Sequence, residues 1–311
     1  MRIIFMGTPD FAVPSLDILF KAGYNIVAVI TSPDKMGGRG RKKLIESDVK
    51  KYADSKGIKI LQPTNLKNEK FIEELSLLNA DLQIVVAFRM LPEIVWNMPA
   101  QGTYNLHGSL LPKYRGAAPI NWAIIKGEKV TGVTSFKLQH EIDTGSILLQ
   151  KEIPIYQSDT AGVLHDRMKY ISAEVVYETV KMIQTNQFEL RKQDNSQVSH
   201  APKLNHENTQ INFLDTRKEI NNFVRGLNPY PSAWFSLGDK KMKVHEIIID
   251  DAPLQHDPTT ILSDNKKFIK VACNDGYVFL NIIQYEGKKR MRTQEFLNGF
   301  DAAAFHLTTV S

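Results

Sequence analysis

Short apolar runs and amphipathic stretches alternate over the first half of the chain. Residues 2–6 form a run rich in β-branched and aromatic side chains, closed by Gly7, Thr8, Pro9 and Asp10; Leu16, Leu19 and Phe20 then recur at helical spacing until Gly23. A continuous apolar run predicts a strand buried on both faces, and three-to-four spacing predicts a helix packed by one face. The alternation repeats, with a strand at 25–30, a helix at 48–55, a short strand at 58–61, a helix at 69–78 and a buried strand at 82–88. Successive βα units of this kind predict an α/β fold with a doubly wound, mostly parallel sheet, whose ligand lies at the C-terminal ends of the strands.

The second half reads differently. Runs at 147–149 and 153–156 predict two further strands, and a long helical pattern covers 160–184. Residues 186–209 are polar with little periodicity, which suits a linker. Beyond them a helix near 216–226, short strands at 233–236, 242–249, 267–272 and 277–283, and a short helix near Thr293 predict a small OB-like β-barrel. A chain of 311 residues has room for two cores. The expected organisation is a first domain over 1–188, a linker over 189–206 and a second domain over 207–311.

Composition removes several classes of function. The chain is 42% hydrophobic and 23% charged, as expected of a water-soluble globular protein. The single cysteine, Cys273, rules out an intrachain disulfide or a Cys-rich zinc site and suits a reducing compartment. The first apolar run is too short for a signal sequence, and no segment approaches the roughly 20 apolar residues of a membrane span, so a cytoplasmic chain with no membrane partner is expected. The first βα turn carries one glycine where a dinucleotide fold has three, and no P-loop pattern occurs, which disfavours NAD and ATP. His140, His165, His200, His206, His245, His256 and His306 show no metal-ligand spacing, so no metal is expected.

The formal net charge of +5 has a location. Between residues 35 and 51, seven cations (Lys35, Arg39, Arg41, Lys42, Lys43, Lys50 and Lys51) face only Glu46 and Asp48, whereas the chain from Glu207 onward is neutral overall. Gly37, Gly38 and Gly40 make this segment a pliable basic loop, a pattern that fits either a polyanionic partner or a solvated face.

The candidate chemistry sits at residues 105–143. Asn105 and His107 lie two apart in a predicted strand and therefore on one face, Gly108 permits close approach of a ligand, and Pro112 bounds the loop. Alone, the pair also fits a strand-end amide capping a turn beside a structural histidine. Arg115, Gly116, Ala117, Ala118, Pro119 and Ile120 follow at a loop-to-helix entry, and Asp143, Thr144 and Gly145 place a carboxylate at a predicted hairpin turn.

These stretches, in this order, resemble the folate-dependent formyltransferases. The likeness rests on Asn105-x-His107-Gly-Ser-Leu-Leu-Pro112, on the stretch from Arg115 to Ile120, on Asp143-Thr-Gly145, on Gly7-Thr-Pro-Asp-Phe11 at the start, and on Asn228-Pro-Tyr-Pro231 with Trp234 in the tail. The chain departs from the family pattern at 88–92, at Asn121-Trp122 and at Asn212-Phe213. The resemblance implies transfer of a formyl group from 10-formyltetrahydrofolate to the α-amino group of methionine on initiator tRNA. It implies Asn105, His107 and Asp143 as catalytic residues, Ser109, Leu110, Leu111 and Pro112 lining a folate pocket with Phe88 and Leu91 near the pterin, and Arg39, Arg41, Lys42 and Lys43 contacting tRNA. It adds a β-barrel that binds tRNA and a monomeric chain. Acyl transfer of this kind needs an oxyanion donor and a proton relay, which an amide, an imidazole and a carboxylate can supply without a covalent intermediate. Two alternatives remain at this level: a formyltransferase acting on a nucleotide-linked amino sugar or a purine-pathway amine, disfavoured by Gly108 and by the tail, and a non-catalytic RNA-binding protein, disfavoured by the intact Asn105, His107 and Asp143.

Overall fold

The structure, a computed structural model of the 311-residue chain, describes residues 1–37 and 43–299 together with the backbone of 308–309. Two compact units emerge, one built from 1–119, 130–154 and 165–201, the other from 120–129, 155–164 and 202–311.

The first unit grows from β1 (Arg2–Gly7), whose Ile3, Ile4, Phe5 and Met6 are fully buried. Gly7 ends it for a steric reason: a Cβ there would stand 2.7 Å from the Cβ of Ala12 and 3.0 Å from the carbonyl of Val86. Helix α1 (Val13–Lys21) carries Pro14 in its first turn, where no intrahelical N–H is needed. Then come β2 (Asn25–Ile30), a ribbon of β3 (Lys35–Gly37) against β4 (Lys43–Ile45), α2 (Asp48–Ser55), β5 (Ile60–Leu61), α3 (Glu69–Leu77) and β6 (Leu82–Val86). Ser47 and Asn68 cap α2 and α3 by accepting the N–H of the third helical residue. After α4 (Glu93–Trp96) come β7 (Thr103–His107), the two-residue β8 (Arg115–Gly116) and α5 (Pro119–Ile125), the last lying mostly within the second unit. Strands β9 (Val130–Lys137) and β10 (Ile147–Pro154) complete the sheet, and α6 (Ala161–Thr185) and β11 (His200–Ala201) follow.

The seven-stranded order is β10-β9-β7-β6-β1-β2-β5, parallel from β7 to β5, with β9 antiparallel to both neighbours. The chain leaves β1 toward β2 and β5 and returns on the other side as β6. The switch point therefore lies between β1 and β6, where ligands of such sheets bind. This is the doubly wound, mostly parallel sheet expected from the pattern.

Three local expectations are corrected. The two runs at 147–156 are one strand, β10, because half-buried Gln150 and exposed Lys151 and Glu152 continue its pairing with β9. Strand β6 stops at Val86, since Ala87 turns the backbone with φ of +49°. The polar stretch expected to be linker is built into the first unit as far as Ala201. Arg191 exchanges both backbone hydrogen bonds with Ile147, and β11 pairs in parallel with β8.

The second unit centres on α7 (Arg217–Gly226), begun by a reciprocal capping box between Thr216 and Glu219. It packs under β12 (Ala233–Leu237), β13 (Lys240–Asp250), β14 (Ile261–Ser263), β15 (Ile269–Cys273) and β16 (Gly276–Tyr285); β17 (Met291–Arg292), α8 (Thr293–Leu297) and β18 (Thr308–Thr309) follow. The sheet runs β12-β13-β16-β15-β14-β18, with β17 on β16, and it is antiparallel except for β14 with β18. It is the barrel-like half of the fold, curled by register shifts at Val244 to Ile247 in β13. Its core includes Ile220, Val224, Phe235, Val271, Val278 and Phe296, with Ile125 of α5 against it. Asn121 donates to the Gly226 carbonyl at 2.8 Å, and a Cβ at Gly226 would meet Ile125 at 2.6 Å.

Candidate active site

Strand β7 carries the site to the C-terminal edge of the sheet. Asn105 lies opposite Val85 of β6 and Phe136 of β9, and His107 is the last residue of the strand, on the same face. The loop after it is sewn to the neighbouring strands. Ser109 Oγ donates to the Lys113 carbonyl at 2.6 Å, and Thr134 Oγ1 donates to the Ser109 carbonyl at 2.6 Å and accepts from Leu111 N at 3.0 Å. Gln150 Nε2 donates to the Leu111 carbonyl at 2.9 Å.

So held, the loop turns at Tyr114, whose φ is +60° and whose carbonyl oxygen stands 2.8 Å from His107 Nε2. A carbonyl only accepts, so Nε2 carries a proton, and in the neutral ring Nδ1 holds the lone pair. Facing Nδ1 at 3.7 Å is Asp143 Oδ2, too far for a strong hydrogen bond but close enough to stabilise a charge on the ring. The same Oδ2 accepts from Gly116 N at 2.9 Å. His107 and Asp143 are 6% and 9% exposed, so their interaction is little screened by water. Asp143 adopts φ of +55° in the connection between β9 and β10.

The structure thus brings His107 and Asp143 together. Asn105 lies on the strand face of His107, half-buried, with an amide that makes no hydrogen bond among the described residues. Of the four residues expected at a folate pocket, Ser109 and Leu111 hold the loop itself, and Leu111 is buried against Phe136 and Ile147; Leu110 and Pro112 remain half-buried. Phe88 and Leu91 pack on the cluster of Ile4, Met6, Ile30 and Val85 beside the switch point. Arg89 between them donates to the Pro63 and Thr64 carbonyls, and burial lowers its pKa.

Of the basic loop, Lys43 is exposed on β4, while Arg39, Arg41 and Lys42 lie outside the described residues. Lys50 pairs with Asp34 and Glu46, and Lys51 with Asp48. Gln62 also donates to Asp34, so the root of the ribbon is tied down by charges that neutralise one another. Among the described residues one group, Asp10, His165 and Asp166, brings three ligand atoms within 4.8 Å. The ammonium of Lys169 reaches both carboxylates, at 3.5 and 3.1 Å, and takes the place of a cation.

Sequence reasoning missed the backbone of Tyr114 and the side chain of Gln193, whose amide donates to the Asp143 and Gly145 carbonyls at 2.8 Å each. A main-chain oxygen has no sequence signal, and a glutamine in a polar aperiodic stretch reads as solvated.

Comparison with known proteins matches both units. Residues 1–180 fit the model of the formyl transferase family, and 203–301 that of the formyl transferase C-terminal domain. The chain is 49% identical over 304 residues to the methionyl-tRNA formyltransferase of Flavobacterium johnsoniae, covering 96% of each chain. To the one from Parabacteroides distasonis it is 48% identical over 314 residues, covering 98% of this chain and 97% of that one. Among solved structures it resembles an N-formyltransferase from Helicobacter canadensis crystallised with folinic acid and dTDP-3-aminofucose, at 22% identity and a TM-score of 0.67, over 90% of this chain and 98% of that one. HypX from Aquifex aeolicus in complex with tetrahydrofolic acid superposes with a TM-score of 0.66 at 17% identity, and the whole of this chain spans 48% of its length. With one family model over its first 180 residues, its C-terminal counterpart over most of the rest, and relatives near half identity along almost all of it, the chain belongs to the formyl transferase family.

Proposed function

We propose that this chain moves the formyl group of 10-formyltetrahydrofolate onto the α-amino group of methionine carried by initiator tRNA, preparing that tRNA for translation initiation. The full-length likeness to relatives named methionyl-tRNA formyltransferase supports the substrate. The observation that carries the chemistry is His107, with Nε2 committed to the Tyr114 carbonyl and Nδ1 facing a buried carboxylate.

The folate donor supplies an activated formyl carbon on a nitrogen able to leave. Attack by the amine creates a tetrahedral oxyanion, for which the unengaged amide N–H of Asn105 is the donor. His107 accepts the amine's proton at Nδ1 and returns it to the departing nitrogen. While charged, the ring has the Tyr114 carbonyl on one side and Asp143 on the other, so both ring N–H groups face negative potential. Asp143 in this reading stabilises the imidazolium, while the Tyr114 carbonyl sets the tautomer. Transfer is direct. The Ser109 hydroxyl, the one nearest in sequence, donates to a backbone carbonyl and is no nucleophile.

Leu110 and Pro112 with the walls of the 109–112 loop, and Phe88 and Leu91 at the end of β6, form the folate side of the site. Arg39, Arg41, Lys42 and Lys43 meet acceptor-stem phosphates, and the second unit provides further tRNA surface. The chain works as a monomer in the cytoplasm, where charged tRNA and reduced folate occur together. No helix among the described residues is long and apolar enough to cross a membrane. The test is side-by-side formylation, with 10-formyltetrahydrofolate, of charged initiator tRNA, free methionine and a dTDP-linked amino sugar. The reading requires the tRNA to be strongly preferred, and equal or better use of the sugar would replace it.

A further inference from the structure

Both groups that flank His107 are held by one segment, residues 191–201. At one end Arg191 exchanges two backbone hydrogen bonds of 2.8 Å with Ile147, next to the Asp143 turn. At the other end Ser199 Oγ accepts from Tyr114 N and the Ser199 carbonyl accepts from Arg115 N, both at 2.9 Å, and β11 runs alongside β8. Between these anchors lies Gln193, whose side chain is fully engaged. Its Nε2 donates to the carbonyls of Asp143 and Gly145, and its Oε1 accepts from Arg115 Nε at 3.1 Å and from Arg115 Nη2 at 2.6 Å. Arg115 Nη2 also donates to Asn195 Oδ1 at 3.1 Å.

This arrangement ties the Asp143 turn to the loop that presents Tyr114. Asp143 sits in a left-handed conformation that few residues with a side chain adopt, and among the described residues its Oδ2 accepts from one backbone donor, Gly116 N. Gly145 lies within the fold too closely for any side chain, its Cβ position falling 1.8 Å from the Lys137 carbonyl oxygen. The turn therefore has few conformations open to it, and the planar amide of Gln193 bonds to the carbonyls at both of its ends. We propose that Gln193 is a positioning residue for the transfer reaction: through the Asp143 and Gly145 carbonyls it sets the carboxylate of Asp143 against Nδ1 of His107. The inference rests on the reading of His107 and Asp143 given above and goes beyond it by assigning the element that aligns them. The chemistry demands a donor of two hydrogen bonds on one side and an acceptor for guanidinium on the other. A glutamine amide of this reach satisfies both, and glutamate satisfies only the second.

The test is a double-mutant cycle on the full-length protein. Formylation of charged initiator tRNA is followed under steady-state and single-turnover conditions for wild type, Gln193→Ala, Asp143→Ala and the double variant, with melting temperatures taken in parallel. Gln193→Ala should lower kcat by roughly 10- to 100-fold, as expected for about an ångström of misplacement, with KM for donor and tRNA changed by less than about threefold. In the Asp143→Ala background the same substitution should change the rate less than about twofold. Gln193→Glu, which keeps the size and the Arg115 contact but loses both donors, should fall as far as Gln193→Ala; a residue that merely filled space would be rescued by it. Gln193→Met, of similar length and without donors, replaces Gln193→Ala if the latter melts near the assay temperature. Wild-type kcat in the Gln193 variants, rescue by glutamate, or an undiminished loss on top of Asp143→Ala would each overturn the inference. Wild-type turnover of Asp143→Ala alone would overturn the underlying reading of the site instead.

Discussion

Tyr114 presents its carbonyl oxygen 2.8 Å from Nε2 of His107, and that one main-chain contact decides which ring nitrogen can take a proton. The neutral imidazole keeps its lone pair on Nδ1, which faces Asp143 Oδ2 at 3.7 Å.

The first consequence concerns charge without shape. In Asp143→Asn an oxygen remains to accept from Gly116 N, so the fold should survive while the carboxylate charge disappears. Turnover should drop about 100- to 1000-fold with the melting temperature within a few degrees of wild type. Asn105→Ala, which removes the proposed oxyanion donor, should lose a similar factor in kcat. Steady-state kinetics and thermal melts on purified variants measure both.

Gly116 is the second. It has φ of +126°, and a Cβ there would lie 2.5 Å from the Ala201 carbonyl oxygen. Gly116→Ala should break the β8–β11 pairing, destabilise the first unit by about 1–3 kcal/mol and lower turnover, because the same residue's N–H holds Asp143. Urea denaturation gives the stability, and a variant as stable and active as wild type would contradict the assignment.

The second unit has its own pH dependence. Burial pushes the His245 pKa down to about 4, with Arg290 and Lys243 adding to the effect. A histidine with a folded-state value below the ordinary 6.5 binds its proton more readily when unfolded. Its contribution is thus complete above pH 6.5 and declines as pH falls toward 4, amounting to roughly 2 kcal/mol lost between pH 8 and pH 5. Denaturant unfolding of the second unit at these two pH values should show the loss, and His245→Phe should reduce it.

The basic loop offers a measurement in salt. Changing Arg39, Arg41, Lys42 and Lys43 to Ala or Gln should weaken tRNA binding and leave folate binding unchanged. The slope of log affinity against log salt should flatten by about 0.7 to 0.9 for each phosphate that the variant no longer neutralises. Lys51→Ala, which removes a cation already paired with Asp48, should change the slope little.

The parallel sheet was readable because its strands are continuously apolar and its helices amphipathic, and α2 falls at 48–55 as its pattern predicts. The motif at 105–112 also announced itself by residue type and order. What stayed hidden is polar or main-chain: the Tyr114 carbonyl, the Gln193 amide and the pairing of His200 and Ala201 leave no hydrophobic period. The same blindness affects the boundary of the second unit, which draws in 120–129 and 155–164 through contacts such as Asn121 to Gly226. A chain cut after His206 would leave Ile125 without its core, and is expected to be less stable than a break at a free linker would make it.

The most direct test is the single-turnover rate at which wild type and His107→Ala formylate methionine on initiator tRNA, with donor and tRNA saturating. The account predicts transfer by the wild type and a rate at least about 100-fold lower in the variant, with both substrates still bound. A His107→Ala rate close to that of wild type would contradict it.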